Sequence, residues 1–184
     1  GSSQSALKQA RAARDAGRLA DAEIYFKQAI QLDSKSAALH EELADLYAKM
    51  ADSAPAERRD ALRAELLTHL DRAANLDKSA KAPRLRLLQL AMADDSTQDA
   101  VYWAREVEKL EPQNTDANFV LALGDLESGS PKVPDARRRI EVLEEGKAPE
   151  IRRLQIQALL GAATGDDKAR DAALTAARAI KIPA

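Results

Sequence analysis

The chain has 184 residues, 45% of them hydrophobic but only 3% aromatic, and 28 basic against 30 acidic residues leave a net charge of -2. That balance argues against a nucleic-acid protein, which needs a basic face to meet phosphates. There is no cysteine, so disulfides and thiolate metal sites are excluded, and no apolar run approaches the ~20 residues that span a bilayer.

Alanine fills about one position in five, whereas there are only five valines and seven isoleucines. Alanine has the highest helix propensity and lets packed helices approach closely, so the composition predicts an all-α chain. From Ser3 to about Ala16, Ala6, Ala10 and Ala13 share one helical face. Gly17 ends that helix, and a second runs from Leu19 to about Leu32 with Ala22, Phe26 and Ala29 on one face. A third, capped by Ser36, carries Leu39, Leu43, Leu46, Tyr47 and Met50. Its partner holds Leu62, Leu66, Leu70 and Ala73 and runs from Pro55 to Leu76. An insertion from Asp52 to about Ala61 is expected to project an extra turn or two.

The next helix starts near Ala82 and is apolar around more than half its girth, with Leu85, Leu87, Leu88, Leu90, Ala91 and Met92. Thr97 is expected to cap a helix with Ala100, Ala104 and Val107, and Thr115 one with Phe119, Ala122, Leu123 and Leu126. Gly129 stops it, and Ser130 to Pro134 reads as a stiff connection before Asp135 caps a helix with Ala136, Ile140 and Leu143. Gly146 and Pro149 end that one. The last pair runs from about Glu150 to Gly165 and from Asp166 to Ile180.

The position of Leu32 recurs at Leu76 and Leu110, which are 44 and then 34 residues on; without the ten-residue insertion both steps are 34. The turn position of Asp95 recurs at Gly129 and Gly165, and Ile182-Pro183 repeats the place of Leu110-Glu111-Pro112. This period, with Ala22, Phe26 and Ala29 as small, aromatic and alanine, Pro112 as closing proline, and Leu43, Ala44 and Tyr47 on a first helix, resembles the tetratricopeptide repeat. Leu66, Leu70 and Ala104 depart from the family pattern. The resemblance implies a right-handed α-solenoid of about five helical hairpins, about ten helices, in units of approximately 3–35, 36–80, 81–114, 115–149 and 150–184; apart from it, Gly1-Ser2 reads as a tag scar.

Signs of catalysis are few. His40 and His69 lack paired metal-ligand spacing and read as surface or groove-edge residues, and no glycine-rich loop follows a strand. The run Arg137-Arg138-Arg139 is followed by Glu141, Glu144 and Glu145 and reads as a solvated, self-paired face. Tyr102-Trp103 reads as packing against a neighbouring helix. The expectation is therefore no enzyme, no metal and no cofactor.

In the resembling family the first helices line a concave groove that takes an extended peptide or a partner's helix. Carried onto this chain, that puts Leu7, Arg11, Arg14, Glu41, Asp45, Leu85, Gln89 and Met92 near the partner-binding face. The family's clamp for acidic chaperone tails needs lysines and asparagines where Leu7, Arg11, Glu42 and Arg86 stand, so no such clamp is expected. The chain reads as a scaffold for protein or peptide partners, without nucleic acid or a membrane span. We read it as an excised region of a larger bacterial assembly protein, with a peptide-binding sensor as the alternative; cytoplasm and periplasm are both compatible. The helix 166–180, with Ala169, Ala172, Ala173, Leu174, Ala176, Ala177, Ala179 and Ile180, is apolar over most of its girth. It is expected to be covered by a sixth hairpin, another domain or self-association.

Overall fold

The computed structural model describes residues 1–180, so Ile182 and Pro183 lie outside the described part. Among the described residues there are ten α-helices and no strand: α1 (Ser3–Asp15), α2 (Leu19–Leu32), α3 (Ala37–Ser53), α4 (Ala56–Leu76), α5 (Lys81–Ala93), α6 (Thr97–Leu110), α7 (Thr115–Glu127), α8 (Val133–Glu145), α9 (Glu150–Thr164) and α10 (Asp167–Ala179). They form two compact units, Gly1–Leu87 and Leu88–Ala184, divided within α5.

In the first unit α1 packs on α2, α2 on α3 and α3 on α4. Ala10, Ala13, Ala22, Phe26 and Ala29 have no solvent exposure, so the small residues flanking Phe26 close over its ring. Gly17, at φ +77°, lets the Arg18 N–H reach the Ala13 carbonyl and its own N–H the Arg14 carbonyl, which satisfies the end of α1. The insertion lengthens both members of the next hairpin: α3 has 17 residues and α4 has 21, joined at Ala54-Pro55.

In the second unit α6 packs on α7, α7 on α8, α8 on α9, α9 on α10, and α7 also on α9. Leu88, Ala104, Val107, Ala122, Leu126, Leu143 and Ile156 fill its interior. The links that follow α2, α4 and α6 share one hydrogen-bond pattern. Asp33, Asp77 and Glu111 each donate their N–H to a carbonyl four residues back and accept at their own carbonyl from Ser36, Ala80 and Asn114. The period of 44 and then 34 residues is thus a repeat of backbone geometry.

Several local expectations change. The N-caps are Ser96 and Asn114, one residue before Thr97 and Thr115. Asn114 Oδ1 accepts from the Ala117 N–H at 2.9 Å, a reach its longer side chain suits. The helix α8 begins at Val133, because Pro134 fits a first turn that needs no N–H donor, and Asp135 lies inside that turn. Asp95 and Gly165 share the left-handed conformation, at φ 53° and 73°, but Gly129 does not. After α8 the left-handed residue is Lys147. Gly146 is needed for a different reason: a Cβ there would stand 2.4 Å from Thr115 Cγ2.

One core slot defied the apolar pattern. His40, Arg84 and Asn118 are all buried and stand 44 and then 34 residues apart. Arg84 donates to the carbonyls of Ala74, Asp77 and Ala80, and Asn118 to those of Pro112 and Asn114, so both polar groups secure the link just before their helix. The arginine run is also divided. Arg137 and Arg138 are exposed, but Arg139 is buried against Glu108 at 2.5 Å, Asp125 at 3.1 Å and Asn118 at 3.0 Å. Burial opposes its charge, yet the two carboxylates outweigh this and hold the guanidinium above its ordinary value. Tyr102 meets Trp103 edge-on at 4.8 Å and remains 56% exposed, on the surface rather than under a neighbouring helix.

Candidate functional site

The odd-numbered helices carry the residues expected at a binding face, and the two units use them differently. In the first unit Leu7 packs against the cluster of Ala6, Ala29 and Leu39. Arg11 donates twice to Glu42, at 3.0 and 2.6 Å, and Arg14 reaches the same carboxylate at 3.4 Å. Asp45 pairs with Arg86. Glu41 is half-buried, and burial, then Asp45 and Asp77, push its carboxyl above the usual range. The charges on α1, α3 and the start of α5 therefore form a ladder of helix-to-helix pairs.

In the second unit the same kind of face opens into a cleft of about 680 Å³. Gln89 and Met92 of α5 line it, as do Ala100 and Val101 of α6; α7 supplies Asp116, Phe119, Val120, Leu123, Gly124 and Glu127, and α9 supplies Arg152 and Gln155. Of the eight expected residues, only Gln89 and Met92 reach it; Leu85 is half-buried and is not part of its lining. Among the lining residues not expected, Phe119 and Leu123 stand thirty-four residues after Leu85 and Gln89. The repeat period itself was the signal that could have found them.

The cleft has an apolar floor and differently charged ends. Near the start of α7, Arg152 donates to Asp116 at 2.5 Å and lies over the Phe119 ring, 5.1 Å from its centre. At the other end Asp95 follows α5 and Glu127 closes α7. Among the described residues no three histidine, cysteine or carboxylate side chains gather as a metal site, and no helix is long and apolar enough to cross a membrane.

The histidines are not surface residues. His40 is buried, and its Nδ1 lies 2.9 Å from His69 Nδ1, with the rings stacked at 5.1 Å between centres. Tyr47 stacks on His69 and donates its hydroxyl to Glu23 at 2.9 Å. Burial, reinforced by the Glu23 bond, pushes the Tyr47 phenol up to about 12. Burial opposes charge on Glu23, but hydrogen bonds from Lys27 and Tyr47 bring its carboxyl below the usual range. This cluster joins α2, α3 and α4 and leaves no space for a ligand between the rings.

No protein-family model and no curated protein matches the sequence. Solved structures do resemble the fold. The chain superimposes on the MamA protein with a TM-score of 0.63 at 18% identity, covering 94% of this chain and 86% of that one. It matches a tetratricopeptide repeat protein from Parabacteroides merdae ATCC 43184 with a TM-score of 0.62 at 16% identity, covering 95% of this chain and 65% of the other. YrrB, described as a tetratricopeptide repeat protein with an unusual peptide-binding site, gives a TM-score of 0.57 at 15% identity, covering 92% and 80%. At such identities the likeness speaks for architecture, and it agrees with the period, the hairpins and the recurrent links: the chain has the all-α helical-repeat fold of the tetratricopeptide proteins.

Proposed function

We propose that this chain is a non-enzymatic scaffold that holds a protein or peptide segment on the faces of its odd-numbered helices, and that it serves a larger bacterial protein in assembling a multiprotein complex. The observation that carries the reading is the cleft over α7, an apolar floor open to solvent. Its volume falls within the range of about 300–1,000 Å³ typical of ligand sites. Five arginines are already engaged by carboxylates: Arg11 and Arg14 with Glu42, Arg86 with Asp45, Arg139 with Glu108 and Asp125, and Arg152 with Asp116.

Peptides selected from a random library against the chain should shift the backbone amide signals of α5, α7 and α9 in a nuclear magnetic resonance titration. Selected peptides that shift only α2 or α10 would move the site elsewhere, and an empty selection would count against the reading. A regulatory peptide-binding sensor is the second reading, and the confinement of the cleft to α5, α6, α7 and α9 favours a short segment over a long continuous track. One-to-one binding that saturates with a single short peptide would support the sensor. Helix α10 exposes Ala169, Ala172, Leu174, Ala176 and Ala179, which suits self-association; a mass that does not change over a wide concentration range would count against that.

A further inference from the structure

We infer that the cleft of the second unit takes a partner segment in which an apolar side chain, seated over Gly124, is flanked within a residue or two by lysine or arginine lying against Asp95 and Glu127. This rests on the proposed function and names the partner's chemistry.

Gly124 is the first reason. It lies inside α7, where glycine weakens a helix relative to alanine, so a structural cause should be found if the fold required it. Two other glycines have such causes. A Cβ on Gly146 would strike Thr115 and one on Gly161 would stand 2.7 Å from the Arg170 backbone nitrogen. Gly17 and Gly165 have positive φ. Gly124 has neither: its φ is not positive, and a Cβ there would meet nothing within 4 Å. The missing side chain instead leaves bare backbone in the cleft wall, bordered by Val120, Leu123, Phe119 and Met92. Those neighbours favour an apolar occupant that approaches the backbone closely.

Charge is the second reason, and it is independent of the first. At the end where α7 begins, Asp116 and Arg152 satisfy each other. At the opposite end neither Asp95 nor Glu127 has an ion-pair partner among the described residues. Both stand at helix C-termini, where the carbonyl ends add partial negative charge. The unmatched charge of the cleft is therefore negative and sits at one end. Gly124 is three residues before Glu127, a rise of about 4.5 Å, so the basic residue must closely follow or precede the apolar anchor. An acidic segment would meet repulsion there.

The full chain can be titrated, by fluorescence anisotropy at low salt, with labelled octapeptides of alternating leucine and lysine, leucine and glutamate, or serine and lysine. The leucine–lysine peptide should bind roughly tenfold more tightly than the leucine–glutamate one. The Asp95→Asn/Glu127→Gln variant should close that gap. Gly124→Leu should abolish binding of both while leaving the thermal midpoint equal or higher, since a side chain there strikes nothing and leucine favours the helix. Equal binding of the lysine and glutamate peptides, or a lysine preference that survives the double variant, overturns the charge assignment and leaves the cleft standing as a site. Equal binding of the serine–lysine peptide overturns the apolar anchor. Leucine–lysine binding that is unaffected by Gly124→Leu overturns the cleft itself, and with it the proposed function.

Discussion

The first and second units furnish the same kind of helical face differently. In the first, arginines and carboxylates on α1, α3 and α5 reach sideways to one another, as Arg11 and Arg14 do to Glu42 and Arg86 does to Asp45. In the second, such a pair stands at one end only, where Arg152 of α9 meets Asp116 of α7; Arg139 of α8 is buried against Glu108, Asp125 and Asn118, and the face of α7 keeps Phe119, Val120 and Leu123. The lesson is that a repeat fixes where side chains point but not what they are for. A face whose charges pair along its length is occupied already, whereas one paired only at one end stays open between.

The most damaging test of this contrast removes Arg139. Arg139→Ala strands Glu108 and Asp125 where they have lost their partner, and the second unit should lose about 3–5 kcal/mol in denaturant titrations. Lysine should not restore it, because three partners in different directions require the planar fork. A loss under 1 kcal/mol would show that the network does not support the open face. Next in size is Gly161→Ala, whose methyl group would press on the Arg170 backbone where α9 meets α10; it should cost about 1–3 kcal/mol. Its unfolding midpoint, read beside that of Gly124→Ala, sharpens the difference between a glycine the fold needs and one it does not.

Much of the architecture was legible. Ala22, Phe26 and Ala29 announced a packed face, and Leu32, Leu76 and Leu110 marked links that prove to share a hydrogen-bond pattern. What escaped was polar and long-range. An apolar periodicity cannot reveal that Arg84 and Asn118 turn back to carbonyls of the preceding link, or that Arg139 leaves the solvated arginine run, because such groups are buried only when partners from distant sequence positions satisfy them. His40 and His69, 29 residues apart, were misread on the same ground. Of the eight expected residues the cleft is lined by Gln89 and Met92 alone, because the charge pairs that fill the first unit's face depend on neighbours that one helix's pattern does not show.

Acid should act on the first unit through that histidine pair. Burial lowers His40 below its ordinary value, against the Ser34 backbone and with help from Arg72; burial also lowers His69, with His40 and Lys27 assisting and Glu65 opposing. The unfolded chain therefore binds more protons than the folded one just below the ordinary histidine value, so stability falls as pH drops from about 7 through 6. The two Nδ1 atoms share one hydrogen bond, which a second proton would break. Thermal melts of the wild type should lose several degrees between pH 7 and 5.5, and His40→Leu/His69→Leu should flatten that slope; equal slopes would remove the pair from the account. At constant pH, Gly124→Ala should raise stability by about 0.5–1 kcal/mol, a gain that appears only if no neighbour resents the methyl group.

The smallest effect tests whether the first unit's ladder holds the helices together or only occupies their faces. Asp45 and Arg86 lie on different helices and their side chains are 62% and 33% exposed, so water already screens most of their attraction. A double-mutant cycle with Asp45→Asn and Arg86→Gln should give a coupling of about 0.2–1 kcal/mol, shrinking as salt is added. If the coupling were instead as large as the Arg139 loss, the ladder would be a structural necessity, and a closed face would be the default state of these helices. A small coupling means the opposite: the pairs are weak enough for a charged partner to replace them one at a time, and the first unit's face is guarded rather than sealed.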